Sequence, residues 1–277
     1  MVNKGIELEI GTTFKISKDI QLRSNLNFSY NKNEITDLFL TQYNSFSLVG
    51  RNTASYAVGY NANTLWMYKY MGFNSATPFP QPTVLGPNST NFDMASFIPG
   101  DGRTYLDNVG TMVAPYTLGL SSSLDYKAIN LSFIVTANLG HVFQRQGFNY
   151  PVQFGGRVLP NRFVREILDA TQNSKSSEIL TLPTNPNEPR FFFWDRFYRN
   201  LSYLGESASW FRMQEINLTY TLNKKVLNKV GINNLKAFVQ GNDLFVILSN
   251  KYGEDPLYAL GTLNPRPKFT IGVKFDF

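Results

Sequence analysis

The sequence contains no cysteine and a single histidine, His141. The absence of cysteine excludes a disulfide framework and every Cys-based zinc or iron–sulfur site. No cysteine or second histidine is present to complete a triad or a zinc site with His141, so we expect this side chain to line an interior or to contact a loop. We therefore predict no catalytic residues, no metal and no cofactor, and we predict that the chain is not an enzyme.

Charge is also scarce, because only 17% of the residues are Asp, Glu, Lys or Arg, against about 25% in soluble domains. The formal net charge is +6, but Lys and Arg are scattered and form no run of five. Basic residues in a nucleic-acid-binding protein cluster on one face. The sequence therefore predicts no nucleic-acid partner.

Long apolar runs are missing as well. No stretch approaches the roughly 20 apolar residues of a transmembrane helix. The first residues, MVNKGIELEIGTTFKI, alternate polar and apolar side chains, and a signal peptide would need a continuous apolar core there. If the protein is exported, we expect its signal to lie outside the given sequence.

Aromatic residues are abundant, at 15% of the chain, and many lie in stretches that alternate with a period of two. The final ten residues, KFTIGVKFDF, place Phe269, Ile271, Val273, Phe275 and Phe277 on one side of a predicted β-strand. The same alternation predicts further strands at residues 5–16, 20–31, 116–126, 129–140, 215–222 and, less regularly, 235–241.

These predicted strands are long, and most reach the roughly 9–11 residues that a tilted strand needs to cross a bilayer. Their apolar faces carry aromatic residues toward the ends, where outer-membrane barrels have aromatic girdles. We therefore predict an all-β fold, the antiparallel transmembrane β-barrel. The alternative is an antiparallel sandwich whose apolar faces meet in a core. The aromatic residues at strand ends are Phe14, Tyr30, Tyr116, Tyr126 and Phe277.

The connections favour the barrel. Short turns at residues 17–19 and 127–128, and a slightly longer one at 222–233, alternate with long segments at 34–113, 145–209 and 248–265. Short turns at one end and long loops at the other are typical of transmembrane barrels. Because the first and last strands must then run in the same direction, the number of wall strands is odd, and we predict seven. The strand-like residues 63–73 would make eight, so we place them in the outer loops.

Seven strands do not close a bacterial barrel, which takes an even number from eight upward. An open sheet would leave unpaired backbone groups in hydrocarbon, each at a cost of several kcal/mol. We therefore expect residues 1–277 to be a piece of a larger barrel, whose last strand pairs with the first strand of the complete protein.

Six segments, in order, resemble the C-terminal part of SusC/RagA-type TonB-dependent transporters, and together they cover nearly the whole chain. They are NKGIELEIGTTFKISKDIQLRSNLNFSYNKNEI, VGYNANTLWMYKYMGF, GDGRTYLDNVGTMVAPYTLGLSSSLDYKAINLSFIVTANLGHVF, WFRMQEINLTYTL, GNDLFVILSNKYGEDP and PRPKFTIGVKFDF. Residues 150–205 match no segment of that family. The spacing in VAPYTLGL also differs from the family pattern.

The resemblance implies a location in the cell outer membrane and a barrel of about 22 strands around an N-terminal plug. It also implies a SusD-like surface lipoprotein as a lid, and TonB-driven import of oligosaccharides or peptides. We expect the plug, the TonB-contacting segment and the signal peptide to be absent from residues 1–277, so that this segment alone does not transport. The resemblance further implies that the barrel-assembly machinery recognises the terminal strand through Phe269, Phe275 and Phe277.

Two aromatic clusters in the predicted outer loops are candidates for contact with substrate or with the lid lipoprotein. The candidate residues are Trp66 and Tyr68 in the first cluster, and Trp194 and Arg196 in the second. Sugars stack on such rings, and apolar patches mark partner interfaces, but packing of the rings within the loops is the alternative. We expect Glu254 and Asp255 to lie on a solvated turn.

Two other functions remain open from the sequence. One is a soluble carbohydrate-binding β-sandwich with aromatic loops, and the other is an adhesive outer-membrane barrel that does not transport. Dependence on detergent would separate the importer from the sandwich. An upstream plug domain or a neighbouring lid-lipoprotein gene would separate the importer from the adhesive barrel.

Overall fold

The structure is a computed structural model that describes residues 1–39, 42–49, 56–70, 101–146, 200–222, 232, 234–258 and 262–276. Its largest element is a seven-stranded sheet in which every neighbouring pair is antiparallel. The seven strands are, in spatial order, β1 (Val2–Lys15), β2 (Ile20–Glu34), β5 (Tyr116–Tyr126), β6 (Ile129–Leu139), β9 (Trp210–Thr221), β10 (Asn234–Leu248) and β11 (Lys268–Asp276). The predicted count of seven wall strands is confirmed.

β1 and β2 extend three residues beyond the predicted ranges, and β9 and β10 extend further still. β9 begins at Trp210 and β10 ends at Leu248, whereas the alternation defines them only from residue 215 and up to residue 241. The register between them shifts between Asn242 and Phe245, where Asp243 has a positive φ of 52°. A bulge adds residues to one strand and so breaks the period of two. The alternation is therefore lost while the pairing continues.

The connections have the predicted asymmetry. Residues 16–19 and 127–128 form tight turns between β1 and β2 and between β5 and β6, and Lys127 has a φ of 50°. The long connections all lie at the other end of the sheet. The β2–β5 connection contains the short strands β3 (Thr64–Tyr68) and β4 (Leu106–Thr111), which pair with each other. The β6–β9 connection contains β7 (Val142–Gln144) and β8 (Gly205–Ser207), which form a second small sheet. Of the segment predicted at residues 63–73, the described part, residues 63–70, contains β3 and lies in an outer loop as predicted, and residues 71–73 lie outside the described residues.

The register aligns apolar side chains with apolar ones, and polar side chains with polar ones, in rows across the whole sheet. One apolar row runs through Phe14, Leu22, Leu124, Leu131, Leu218, Val239 and Ile271. The adjacent polar row, on the opposite face, runs through Thr13, Arg23, Ser123, Ser132, Asn217, Gln240 and Thr270. Successive residues of a strand point to opposite faces. One face of the sheet is therefore apolar and the other is polar.

The apolar face is exposed rather than packed against a second layer. Its outward side chains include Ile10, Phe14, Leu218 and Phe245, and Ile271 is 81% exposed. A sandwich would bury this face against another sheet. Exposed large hydrophobic side chains occur on this face in six of the seven strands, and those of β2 are half-buried. This is far more apolar area than a soluble monomer ordinarily presents to water.

The buried core lies instead among the outer loops. Leu65 and Met67 of β3 pack with Leu204, and Val109, Met112 and Val142 cover them. A short helix, α1 (Ser45–Val49), buries Leu48 and Val49 beside these strands. No helix in the described part of the chain is long and apolar enough to cross a membrane.

Candidate functional surfaces

Tyrosine rings mark both ends of the apolar face. At the loop end, Tyr30 and Tyr116 are paired across β2 and β5, and their rings stack with centroids 4.9 Å apart. At the turn end, Tyr126 and Tyr220 flank Ile129 in a single row. The strand from Tyr116 to Tyr126 is roughly 33 Å long at about 3.3 Å per residue. At a tilt of about 40° it spans about 25 Å, the height of the apolar band of an outer-membrane barrel.

The polar face holds a hydrogen-bonded network near the turn end. Arg23 donates to Asp125 at 2.5 Å, and the Asn130 side-chain amide donates to both Asp125 and Ser123 at 2.7 Å. Nearby, the Asn25 amide donates to Glu9 at 3.2 Å. Charged and amide groups require water or polar protein as neighbours. This face therefore suits the interior of a water-filled or plugged barrel.

A cavity of about 600 Å³ lies among the outer loops, between the β6–β9 and β10–β11 connections. Its lining includes His141, Phe143, Glu254, Tyr258 and Asn264. His141 is buried and its Nδ1 has no hydrogen-bond partner in the described structure. Burial lowers the pKa of His141 below its usual value, because desolvation disfavours the charged imidazolium. The imidazole is therefore neutral at pH 7.

Two ion pairs lie beside this cavity, and their carboxylate residues, Glu254 and Asp255, line it. Arg212 donates to Asp255 at 2.6 Å, and Arg145 donates to Glu254 at 2.8 Å. The Arg145 guanidinium also lies 3.2 Å from the centroid of the Tyr252 ring. The side chain of Asn250 closes the turn, because it donates to the Glu254 carbonyl at 2.8 Å and accepts from the Glu254 amide at 3.0 Å.

The expectation of a solvated turn at Glu254 and Asp255 is wrong. Only 1% of the Asp255 side chain is exposed. The partner arginines lie 43 and 109 residues away in the sequence, so no local pattern indicates them. Arg145 and Arg212 are residues that the sequence did not single out. The Arg145–Glu254 pair joins the β6–β9 connection to the β10–β11 connection, and the Arg212–Asp255 pair joins the β10–β11 connection to β9.

The first predicted contact cluster is buried in the loop core. Trp66 is 3% exposed and Tyr68 is 0% exposed, and the Trp66 ring meets Tyr60 edge-on at 4.7 Å. Tyr68 also forms a β-bridge to Leu201. This is the packing role that the sequence left as the alternative. Contact of these two rings with a substrate or a lid lipoprotein stays a prediction.

Of the other candidate residues, two lie on the terminal strand β11 and three lie outside the described residues. Phe269 and Phe275 lie on the apolar face of β11, opposite Gly241 and Leu235, and both rings are more than half exposed. Trp194, Arg196 and Phe277 lie outside the described residues. Within the described ranges, no group of three or more His, Cys, Asp or Glu residues is arranged to hold a metal ion.

Comparisons with known proteins agree with this geometry. No protein-family model matches the chain. A curated protein, TonB-dependent receptor P3 of Formosa agariphila, is 24% identical over 287 aligned residues, which cover 99% of this chain and 27% of that protein. The chain thus spans about a quarter of the length of this relative.

Solved structures of a RagAB peptide transporter have the same fold. One of them covers 99% of this chain and 29% of its own, with a TM-score of 0.62 at 19% identity. The "closed-closed" and "open-open" states of the RagAB peptide importer give TM-scores of 0.63 and 0.60, at 20% and 18% identity. The resemblance found in the sequence is therefore confirmed: the chain is similar over its whole length to a TonB-dependent receptor, and its seven-stranded sheet has the fold of part of a RagA-type barrel.

Proposed function

We propose that the chain forms the C-terminal part of the barrel wall of a SusC/RagA-like importer in the outer membrane. The observation that carries this proposal is an apolar face that runs across seven strands, with exposed hydrophobic side chains on six of them, and that opposes a polar face. Such a sheet is stable only where hydrocarbon bathes one side and water or polar protein the other. The apolar band of about 25 Å supports the same conclusion.

Import itself requires the rest of the barrel. The relatives are more than three times as long as this chain, which covers 27% to 29% of them. We propose that a plug and the segment that contacts TonB lie in the corresponding remainder, and that residues 1–277 do not transport alone. The machinery that assembles outer-membrane barrels would recognise the β11 strand, with Phe269 and Phe275 on its membrane side.

The proposed substrate is a peptide or an oligosaccharide, and the proposed partner is a SusD-like surface lipoprotein that closes the outer end. The RagAB structures are named as a peptide importer, which favours the peptide. The outer cavity beside His141 lies at the end where substrate would enter. Trp194 and Arg196 remain our candidates for contact with the lipoprotein.

Nitroxide spin labels on β5 would test the membrane placement. In the detergent-purified or reconstituted full-length protein, labels at Leu118, Leu120 and Leu124 should be more accessible to oxygen, which concentrates in lipid, than to a water-soluble nickel chelate. Labels at Ser121 and Ser123, on the other face, should lack this preference for oxygen. In a soluble sandwich, the first three labels would be shielded from both reagents, and that result would refute the proposal.

A further inference from the structure

Two lysines face each other at the outer rim of the apolar face. Lys4 of β1 and Lys32 of β2 are direct partners in the antiparallel register. They lie two residues beyond the Ile6–Tyr30 pair, so they share the face that carries the apolar rows. Both side chains are exposed. The sheet therefore places two lysine side chains next to each other on the face that we propose is turned to the bilayer.

This arrangement has a cost that the chain offsets only in part. Like charges directly opposite each other on neighbouring strands are destabilising. Lys32 pairs with Glu34 at 2.9 Å, and Glu34 lies on the same face, opposite Val2. Lys4 forms no ion pair within the described ranges. One carboxylate thus serves two ammonium groups, which leaves a net charge of +1 at this point of the rim.

The position of the lysine pair relative to the tyrosine rings indicates which part of the bilayer surrounds its excess positive charge. Directly below it lies the stack of Tyr30 and Tyr116, and tyrosine rings sit where hydrocarbon gives way to headgroups. A lysine just above such a ring has its ammonium among the headgroups, while its stem covers apolar surface. The pair is therefore continuous with the proposed lipid-facing band and carries the charge opposite to that of a phosphate.

We propose that Lys4 and Lys32 form a binding site for the phosphate group of a lipid in the outer leaflet. The acyl chains of that lipid would lie along Ile6, Leu8 and Phe28, which occupy the rows directly below. The phosphate would separate the two ammonium groups and relieve their repulsion. This site rests on the membrane placement proposed above.

The chain itself supplies a matched control. Lys236 and Lys274 are also direct partners, on β10 and β11. They lie between residues of the apolar rows and therefore point to the polar face. The double variants Lys4→Gln/Lys32→Gln and Lys236→Gln/Lys274→Gln remove the same charge from the same kind of register pair. Only the first pair faces lipid.

Native mass spectrometry of the full-length protein in detergent would count the lipids bound at increasing concentrations of phosphatidic acid. A galactosyl diacylglycerol with the same acyl chains would report binding that does not need the phosphate. Each lysine near a membrane surface contributes about 1 kcal/mol toward anionic lipid. Lys4→Gln/Lys32→Gln should thus weaken phosphatidic acid binding roughly 25-fold, about fivefold for each lysine. Glu34→Gln should strengthen it, while Lys236→Gln/Lys274→Gln should leave it unchanged.

Other outcomes would overturn the site. If both double variants weaken binding equally, the effect is one of net charge and the site does not exist. If inorganic phosphate displaces the lipid at equal concentration, the pair binds free phosphate and not a headgroup. A detergent-dependent barrel that binds phosphatidic acid equally with and without the two lysines would refute the lipid site alone. A full-length protein that is soluble without detergent would refute the proposed function and the site together.

Discussion

Asp255 is a buried charge in the described outer loops, with 1% of its side chain exposed. Its pairing with Arg212 ties the β10–β11 connection to β9. Removal of one member of a buried pair leaves the other charge unpaired, which costs about 3–5 kcal/mol. We expect Asp255→Asn to accelerate amide hydrogen exchange across residues 250–258 of the full-length protein.

The exposed pair of Arg103 and Asp101 provides the comparison for that experiment. Exposed ion pairs contribute about 0–1 kcal/mol, so Arg103→Gln should leave exchange around residues 101–105 nearly unchanged. The double variant Arg212→Met/Asp255→Leu removes both buried charges and should restore part of the protection lost in Asp255→Asn. If Asp255→Asn had no more effect than Arg103→Gln, the pair would not hold the loop.

His141 makes the outer loops sensitive to acid. Burial lowers its pKa in the folded protein, while the unfolded chain has the ordinary value of about 6.5. Between these two values the unfolded state binds more protons, so local stability falls as the pH decreases through about 6.5. We expect residues 140–146 to exchange faster at pH 5.5 than at pH 7.5, after correction for the intrinsic rate.

A variant without the titrating group separates this effect from general acid sensitivity. In His141→Gln, exchange over the same residues should lose most of its dependence on pH between 7.5 and 5.5. If the variant kept the full dependence, a group other than His141 would be responsible.

At the scale of elements, β5 carries both environments on adjacent residues. Leu120 lies near the middle of the apolar face, and Ser121 lies beside it on the polar face. Arginine on the lipid side near the bilayer midplane costs about 2–4 kcal/mol, and lumen positions tolerate it better. We expect Leu120→Arg to reduce the fraction of full-length protein that assembles, measured as the heat-modifiable band on an unboiled gel, and Ser121→Arg to reduce it much less. Equal losses from both substitutions would contradict the assignment of the two faces.

The sequence predicts these long strands well because each has a uniform environment on either face. The polarity of each side chain alone indicates the face on which it lies, as for apolar Phe14 beside polar Thr13 and apolar Leu218 beside polar Asn217. The prediction fails at Asp243, where a bulge shifts the register while the strand continues. It also cannot find the outer core, because Leu65 and Leu204 meet only after two separate connections fold together. The arginine partners of Glu254 and Asp255 are also far away in the sequence, so no local pattern predicts them.

At the scale of the molecule, β1 and β11 each pair on one side only within the described part of the chain. Their outer edges present backbone N–H and C=O groups, and each such group left unpaired in hydrocarbon costs several kcal/mol. The sheet therefore has the apolar and polar faces of a barrel wall but is open at β1 and β11. The remaining strands of the proposed importer would pair with both edges.

Expression of residues 1–277 alone tests this view of the molecule. Because neither edge then has a partner, we expect the isolated chain to aggregate and to show no heat-modifiable form in detergent, whereas the full-length protein shows one. Addition of the rest of the proposed importer as a separate polypeptide during refolding should recover some of that form, since strands that pair with both edges are then present. An isolated chain that became heat-modifiable and protease-resistant by itself would mean that seven strands close without help. It would refute the assignment of this sheet to a larger wall.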